Sequence, residues 1–135
     1  MFLFYNLLLG TFCLATLPLL LFKMIFHSNR YEVFAQKLGF LPKEILSGMK
    51  GKPRILVHAV SVGEVSAIHP LLRELRATYP QGCLVLSTGT ESGQKIARER
   101  VTEATAIFFF PLDLPFVVRK VIRQVRPDLF ILAET

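Results

Sequence analysis

The pattern of apolar and polar positions divides the chain into an apolar beginning, a mixed middle and a regularly alternating remainder. Residues 1–22 carry no charged side chain, and with residues 24–26 they reach the roughly 20 apolar residues that a helix needs to cross a bilayer. From Arg54 onward, unbroken apolar runs alternate with segments of helical periodicity. This pattern predicts strands at 54–60, 83–88, 106–110 and 128–133, and helices at 65–79, 93–101 and 114–125.

Continuous apolar strands that alternate with helices are typical of a parallel sheet covered on both faces. Right-handed crossovers then predict a Rossmann-like α/β domain with strand order 3-2-1-4. The first helix of this domain, at 65–79, is expected to bury one face, formed by Ile68, Leu71, Leu72 and Leu75.

Ligands of open α/β sheets bind outside the carboxyl ends of the strands, where the strand order reverses. In the predicted order this point lies between the first and fourth strands. Glu64 follows the first strand and Glu134 ends the fourth, so two carboxylates are expected to flank the crevice. The loops at 87–93 and 111–113 open on the same edge.

The apolar beginning is predicted to be a retained, single-pass membrane anchor. A cleaved signal peptide would need a positive n-region and a small-x-small cleavage site, and neither is present. Excess cations mark the cytoplasmic side, so the N-terminus is expected outside and the domain in the cytoplasm. The cations that follow the apolar run are Lys23, Arg30, Lys37, Lys43, Lys50, Lys52 and Arg54.

The same segment contains only two acidic residues, Glu32 and Glu44. It therefore carries nearly all of the net charge of +6. Such a cluster suits anionic membrane lipids, although a merely solvated linker stays open for residues 43–52. No basic stripe with interleaved aromatics appears in the domain, so nucleic acid is not an expected partner. The predicted segments are an anchor at 1–26, a basic juxtamembrane connector at 27–53 and the domain at 54–135.

Within the connector, Phe34, Leu38 and Leu41 have helix-like spacing and would rest on the membrane or dock on the domain. Cys13 and Cys83 lie in separate segments, so no disulfide is expected. No metal-ligand spacing and no cofactor motif is present, since the chain lacks both GxGxxG and GxxxxGK[ST].

Two turns carry the same capping pattern. Ser61-x-x-Glu64 and Thr88-x-x-Glu91 each place a hydroxyl three residues before a carboxylate at a predicted helix start. Spacing alone favours capping over catalysis for both glutamates. Gly63 favours the other interpretation of Glu64, because a glycine lets a ligand or backbone approach closely.

The other polar residues in the predicted domain have simpler interpretations. His58 lies inside an apolar strand and is predicted to be a hydrogen-bonded core residue, whereas His69 is expected at the surface. Arg119, Arg123 and Arg126 have helical spacing. They would hold a phosphate or, more simply, form a solvated face.

Several segments together resemble the N-terminal half of 3-deoxy-D-manno-octulosonic acid (Kdo) transferases of lipopolysaccharide synthesis. They are "KLGF", "HAVSVGEVSAIHPLLRELRATYP", "LSTGTESG" and "FFPLDLPFVVRKVIRQVRPDLFILAET". The resemblance implies a metal-independent GT-B glycosyltransferase with two Rossmann-like domains. The N-terminal domain would receive the lipid A precursor (lipid IVA), and the C-terminal domain would hold the donor CMP-Kdo.

By the same resemblance, Glu64 is the general base and Glu134 stabilises the transition state. Candidates for the acceptor cleft are Ser61, Gly63, Thr88, Thr90, Gly93 and Asp113. The sequence stops inside the family's "ETE" motif, so the donor domain is absent and this chain alone is expected to be inactive. The alternative is a non-catalytic, membrane-tethered module that binds the lipid acceptor, or a truncated relic.

Overall fold

The computed structural model describes residues 2–26 and 28–134. Met1, His27 and Thr135, which the predicted anchor, connector and domain include, lie outside the described residues. The helices are α1 (Phe2–Phe26), α2 (Ser28–Lys37), α3 (Lys43–Gly48), α4 (Val62–Thr78), α5 (Glu91–Arg100) and α6 (Pro115–Val125). The strands are β1 (Arg54–Ala59), β2 (Cys83–Thr88), β3 (Ala106–Phe109) and β4 (Leu129–Ala133).

The chain divides into two units, Met1–Phe34 and Ala35–Thr135. Helix α1 makes up most of the first unit, and its segment Leu3–Lys23 is long and apolar enough to cross a membrane. The hydroxyls of Thr11 and Thr16 donate to carbonyls one turn earlier in the helix, both at 2.8 Å. These polar groups are therefore satisfied inside the helix, as a bilayer requires.

The second unit is built on a four-stranded parallel sheet in the order β3-β2-β1-β4. This confirms the predicted strand order, and each predicted strand is found to within one residue at either end. Val57 in β1 lies between Leu86 of β2 and Ile131 of β4. The switch in strand order therefore falls between β1 and β4, as expected.

Helices cover both faces of the sheet. On one face, α4 and α5 pack Leu72 and Ala97 against Val57 and its neighbours. On the other, α6 packs Val121 against Leu56. The whole of β2 is buried, whereas β4 at the edge leaves three of its apolar side chains exposed: Leu129, Phe130 and Leu132.

The predicted apolar face of α4, the first helix after β1, is correct except at one position. Ile68 and Leu72 are buried and Leu75 is half-buried, but Leu71 is 40% exposed. Helix α4 begins at Val62 and turns Val65 toward the sheet together with Ile68 and Leu72. Leu71 lies about 100° around the helix from Leu72, which places it beyond this face.

Residues 35–53, interpreted from the sequence as part of a connector, pack on the sheet. Leu41 and Met49 are buried in the core beside α6. The guanidinium of Arg54 donates to the carbonyls of Met49 at 2.6 Å and Val125 at 2.7 Å, which ties this segment to the end of α6. The predicted domain boundaries themselves remain predictions.

Candidate active site

The turn between β1 and α4 holds Glu64 through a reciprocal cap. The backbone N–H of Glu64 donates to the Ser61 hydroxyl at 3.5 Å, and its carboxylate accepts from the backbone N–H of Val60 at 2.5 Å and Ser61 at 3.4 Å. This is the capping box that the sequence predicts. Both bonds to the carboxylate end on Oε2, and no hydrogen bond to Oε1 is found among the described residues. One oxygen therefore supports the turn while the other stays available.

Gly63 leaves open space next to this carboxylate. A Cβ placed on Gly63 would meet only the Ser61 hydroxyl, at 3.9 Å. The residue is exposed and lies in the first turn of α4, so its backbone conformation does not demand glycine. The absent side chain keeps the surface beside Glu64 accessible to a ligand.

The loop after β2 packs directly against the turn that carries Glu64. The carbonyl of Val60 accepts three hydrogen bonds, from the backbone N–H groups of Gly89 and Thr90, both at 3.1 Å, and from the Thr90 hydroxyl at 3.2 Å. A Cβ on Gly89 would lie 2.8 Å from the Val60 side chain, so the two backbones approach more closely than a larger residue permits. These contacts fix the position of Val60, whose N–H in turn holds Glu64.

The second predicted capping box is wrong, because Thr90 caps α5 and Thr88 does not. The Thr90 hydroxyl accepts from the N–H of Gly93 at 3.0 Å. Thr88 is still part of β2, and its fully buried hydroxyl donates to the side chain of Gln94. Of the cleft candidates in this loop, Thr90 therefore reaches the surface, whereas Thr88 and Gly93 support it from below.

His58 is a core residue, as predicted. Its ring is 7% exposed, stacks on Phe110 with centroids 4.1 Å apart, and contacts the Ser87 hydroxyl through Nδ1 at 3.0 Å. Burial lowers the pKa of His58, and the opposing effects of the Ser87 hydrogen bond and the Glu64 charge are smaller. The imidazole is therefore neutral near pH 7 and supports the end of β1 beneath Glu64.

Glu134 and Asp113 lie at the ends of different strands. Ala133 pairs with Ala59 across β4 and β1, so Glu134 leaves the sheet beside the turn that carries Glu64. Asp113 follows β3, which β2 separates from β1. Both Glu134 and Asp113 are exposed. The topology thus brings the two glutamates to neighbouring strand ends and sets Asp113 farther along the same edge.

His69, predicted to lie at the surface, is partly buried. Its Nε2 lies 3.0 Å from the Glu103 carboxylate, and its side chain is only 21% exposed. The nearby Arg76 donates to the Glu103 carbonyl and to the Gly82 carbonyl at 2.7 Å. These contacts join α4 to the segments beside β2 and β3, and they give His69 a structural role.

The candidate side chains at the carboxyl-terminal edge of the sheet end in carboxylates and hydroxyls. Among residues 2–26 and 28–134, no three His, Cys, Asp or Glu side chains form a group that could hold a metal ion. Cys13 is exposed, Cys83 is buried, and both are free. Carboxylates and hydroxyls at this edge are suited to binding a sugar hydroxyl and to accepting its proton.

Comparison with known proteins gives a consistent result. A family model described as 3-deoxy-D-manno-octulosonic-acid transferase (kdotransferase) matches residues 32–135. The transferase of that name from Chlamydia trachomatis serovar D is 33% identical over 118 residues, which is 87% of this chain and 27% of the relative. The Haemophilus influenzae protein of the same name is 35% identical, over 80% of this chain and 25% of its own length.

A more distant relative with this name comes from Rickettsia felis, at 28% identity over 72% of this chain and 21% of its own length. The chain therefore spans about a quarter of the length of the curated relatives that it matches. The matched region includes the whole sheet and both of the turns that carry Glu64 and Thr90.

Proposed function

The chain belongs to the 3-deoxy-D-manno-octulosonic acid (Kdo) transferase family, and we propose that it forms the acceptor-binding part of an enzyme that transfers Kdo from CMP-Kdo to a lipid A precursor, lipid IVA. The observation that carries the proposal is the setting of Glu64. Its carboxylate stands at the switch in strand order, with Oε2 held by the backbone and Oε1 available beside the open space at Gly63.

Glu64 acts as the general base of this reaction. A sugar hydroxyl is a poor nucleophile near neutral pH, and a positioned carboxylate speeds the attack by taking the proton as the new bond forms. The acceptor oxygen bonds to the anomeric carbon of Kdo while the bond from that carbon to the phosphate oxygen breaks. CMP leaves with that electron pair, and the proton of the hydroxyl passes to Oε1 of Glu64.

Glu134 stabilises the positive charge that develops on the sugar ring as CMP leaves. A fixed negative group near an oxocarbenium-like centre lowers the energy of the transition state. The adjacency of β4 and β1 supports this role, because Glu134 follows the residue that pairs with Ala59. Ser61, Thr90 and Asp113 offer hydrogen-bonding groups to the acceptor along the same edge.

The donor is held by a second Rossmann-like domain, in a GT-B arrangement that needs no metal ion. The length of the relatives supports this assignment, since the matched region is about a quarter of each of them. The sequence "SVGE" and the "STGT" loop belong to the acceptor side, and the phosphate-binding glycine motifs are not present in this chain. We therefore assign the residues of this chain to the acceptor side of the reaction.

The protein is associated with the membrane through α1, whose candidate span Leu3–Lys23 contains one charged residue, Lys23 at its end. We assign it to the inner membrane as a single-pass protein with the N-terminus outside and the domain in the cytoplasm. The cations after α1 support this orientation, because Lys and Arg accumulate on the cytoplasmic flank of a spanning helix. A base on the cytoplasmic side would then meet a lipid acceptor at the bilayer surface.

A transfer assay tests the proposed function. The complete membrane protein, purified with its donor domain, is incubated with lipid IVA and CMP-Kdo labelled in the sugar, and label in the lipid fraction is measured. We expect transfer that a metal chelator leaves unchanged. Lipid binding without any labelled product, with both halves of the protein present, would instead identify a non-catalytic lipid-binding module.

A further inference from the structure

The outer side of α6 combines exposed aromatic and cationic side chains. The inner side of this helix is buried and consists of Val117, Val121 and Val125. Each of Phe116, Arg119, Lys120 and Arg123 lies three or four residues from two of the others, so the four share the opposite side. Phe116 is 71% exposed, more than any other aromatic side chain described between residues 35 and 134.

A second exposed aromatic ring joins this surface. Phe40 is 61% exposed, and the ammonium of Lys120 lies 3.2 Å above the centre of its ring. The loop that carries Phe40 is fixed to α6, because Gln124 donates to the carbonyl of Gly39 at 2.8 Å. Phe40, Phe116, Arg119, Lys120 and Arg123 are named here the α6 face.

The α6 face is strongly positive. The ion pairs found between described residues join Lys52 to Asp128 and His69 to Glu103, and they leave its three cations without a carboxylate partner. Between residues 104 and 127 the sequence contains one acidic residue, Asp113. A surface with two protruding aromatic rings among uncompensated cations is therefore complementary to an apolar layer with a negative border.

We propose that the α6 face lies on the anionic headgroup region of a lipid bilayer. Aromatic rings gain free energy when they enter the apolar boundary, and long cationic side chains extend to the phosphates while their stems stay in apolar surroundings. The spanning helix α1 keeps the domain within reach of a bilayer at all times. Nothing in the fold of the second unit itself requires Phe116 to be aromatic, since its side chain is mostly in solvent.

The placement of α6 gives this contact a consequence for the acceptor. Helix α6 begins at Pro115, just after the carboxyl end of β3, and Phe116 is in its first turn. The carboxyl end of β3 lies on the same edge of the sheet as the turn that carries Glu64. A bilayer that contacts the first turn of α6 is thus next to the edge where a membrane-embedded substrate would enter.

The absence of tryptophan from the chain permits a direct test. Phe116→Trp creates a single fluorescent probe on the α6 face, and Tyr79→Trp creates a matched control at the end of α4, where Tyr79 is 41% exposed. Each full chain is reconstituted in vesicles of phosphatidylcholine with phosphatidylglycerol, with and without brominated acyl chains. We expect brominated lipid to quench the Phe116→Trp probe strongly and the Tyr79→Trp probe weakly.

The electrostatic part is tested in the Phe116→Trp background by neutralising two cations, Arg119→Gln and Arg123→Gln. Each contributes about 1 kcal/mol near an anionic surface, so the ratio of docked to undocked domain should fall roughly thirtyfold. Circular dichroism of each variant checks that the domain is folded. Equal quenching of the two probes would overturn the proposal. So would a Phe116→Trp probe that is protected from aqueous acrylamide but untouched by brominated lipid, which would indicate a protein partner.

Discussion

The hydroxyl of Thr90 donates a hydrogen bond of 3.2 Å to the carbonyl of Val60 while it caps α5 through the N–H of Gly93. Val60 also donates its own N–H to the carboxylate of Glu64. A single threonine therefore connects the start of α5 to the glutamate in the first turn of α4. In the proposed reaction, the orientation of Glu64 depends on this connection.

We expect Thr90→Val to lower kcat for Kdo transfer by the complete enzyme, with a smaller change in KM for the acceptor. The valine keeps the shape of the side chain but removes the oxygen, and the loss of the cap should also cost about 1 kcal/mol in the free energy of unfolding. Thr90→Ser is the matched control and should restore both quantities. Wild-type kcat in Thr90→Val, or a Thr90→Ser variant as impaired as Thr90→Val, would contradict this role of the hydroxyl.

Two glycines near Glu64 should respond in opposite ways to alanine. A Cβ on Gly93 would lie 2.9 Å from the Thr90 hydroxyl and 3.1 Å from the Val60 carbonyl, whereas a Cβ on Gly63 meets only Ser61 at 3.9 Å. We expect Gly93→Ala to destabilise the domain by about 1–3 kcal/mol through overpacking. Gly63→Ala should be neutral or slightly stabilising, because alanine favours a helix. Chemical unfolding of both variants measures the difference, and equal effects would contradict the close approach at Gly93.

The buried His58 predicts a dependence of stability on pH. Burial lowers its pKa in the folded chain below the ordinary value of 6.5, so the unfolded chain binds a proton at a higher pH than the folded chain does. The contribution of neutral His58 to the free energy of unfolding should therefore be fully present above about pH 6.5 and decline as the pH falls below it. His58→Gln keeps a hydrogen-bonding group for Ser87 and removes the titration. Unfolding measured from about pH 8 to about pH 5 should show a weaker decline in this variant than in the wild type. An identical decline would assign it to other groups.

The sequence predicts the architecture of the sheet because the pattern that encodes it is local. Four apolar runs separated by helical segments leave few possible topologies once crossovers are right-handed. The start of α5 is harder to predict, since Thr88 and Thr90 are both good caps and only the length of β2 distinguishes them. Thr88 remains in the strand and points into the core, so the cap passes to Thr90.

Hydrogen bonds between segments that are distant in the sequence cannot be predicted in this way, because they leave no local sequence pattern. The side chain of Gln36 accepts from the N–H of Phe109 at 2.9 Å, across 73 positions, and this contact anchors a segment interpreted as connector. The Thr90–Val60 bond is missed for the same reason, because a backbone carbonyl acceptor has no side-chain signature. The edge that carries Glu64 and Glu134 could be predicted from topology, and the catalytic roles of the two glutamates remain predictions.

The most direct test of the proposed function is the rate of Kdo transfer by the complete enzyme with Glu64→Gln. Glutamine can still accept the backbone hydrogen bonds of the cap, but it cannot take a proton from the acceptor. The matched control is Glu74→Gln, at an exposed position on the same helix. We predict that Glu64→Gln lowers kcat by about 10²–10⁴-fold with an unchanged midpoint of thermal unfolding, and that Glu74→Gln changes neither. Wild-type transfer by Glu64→Gln would contradict the account and leave Glu64 as a helix cap alone.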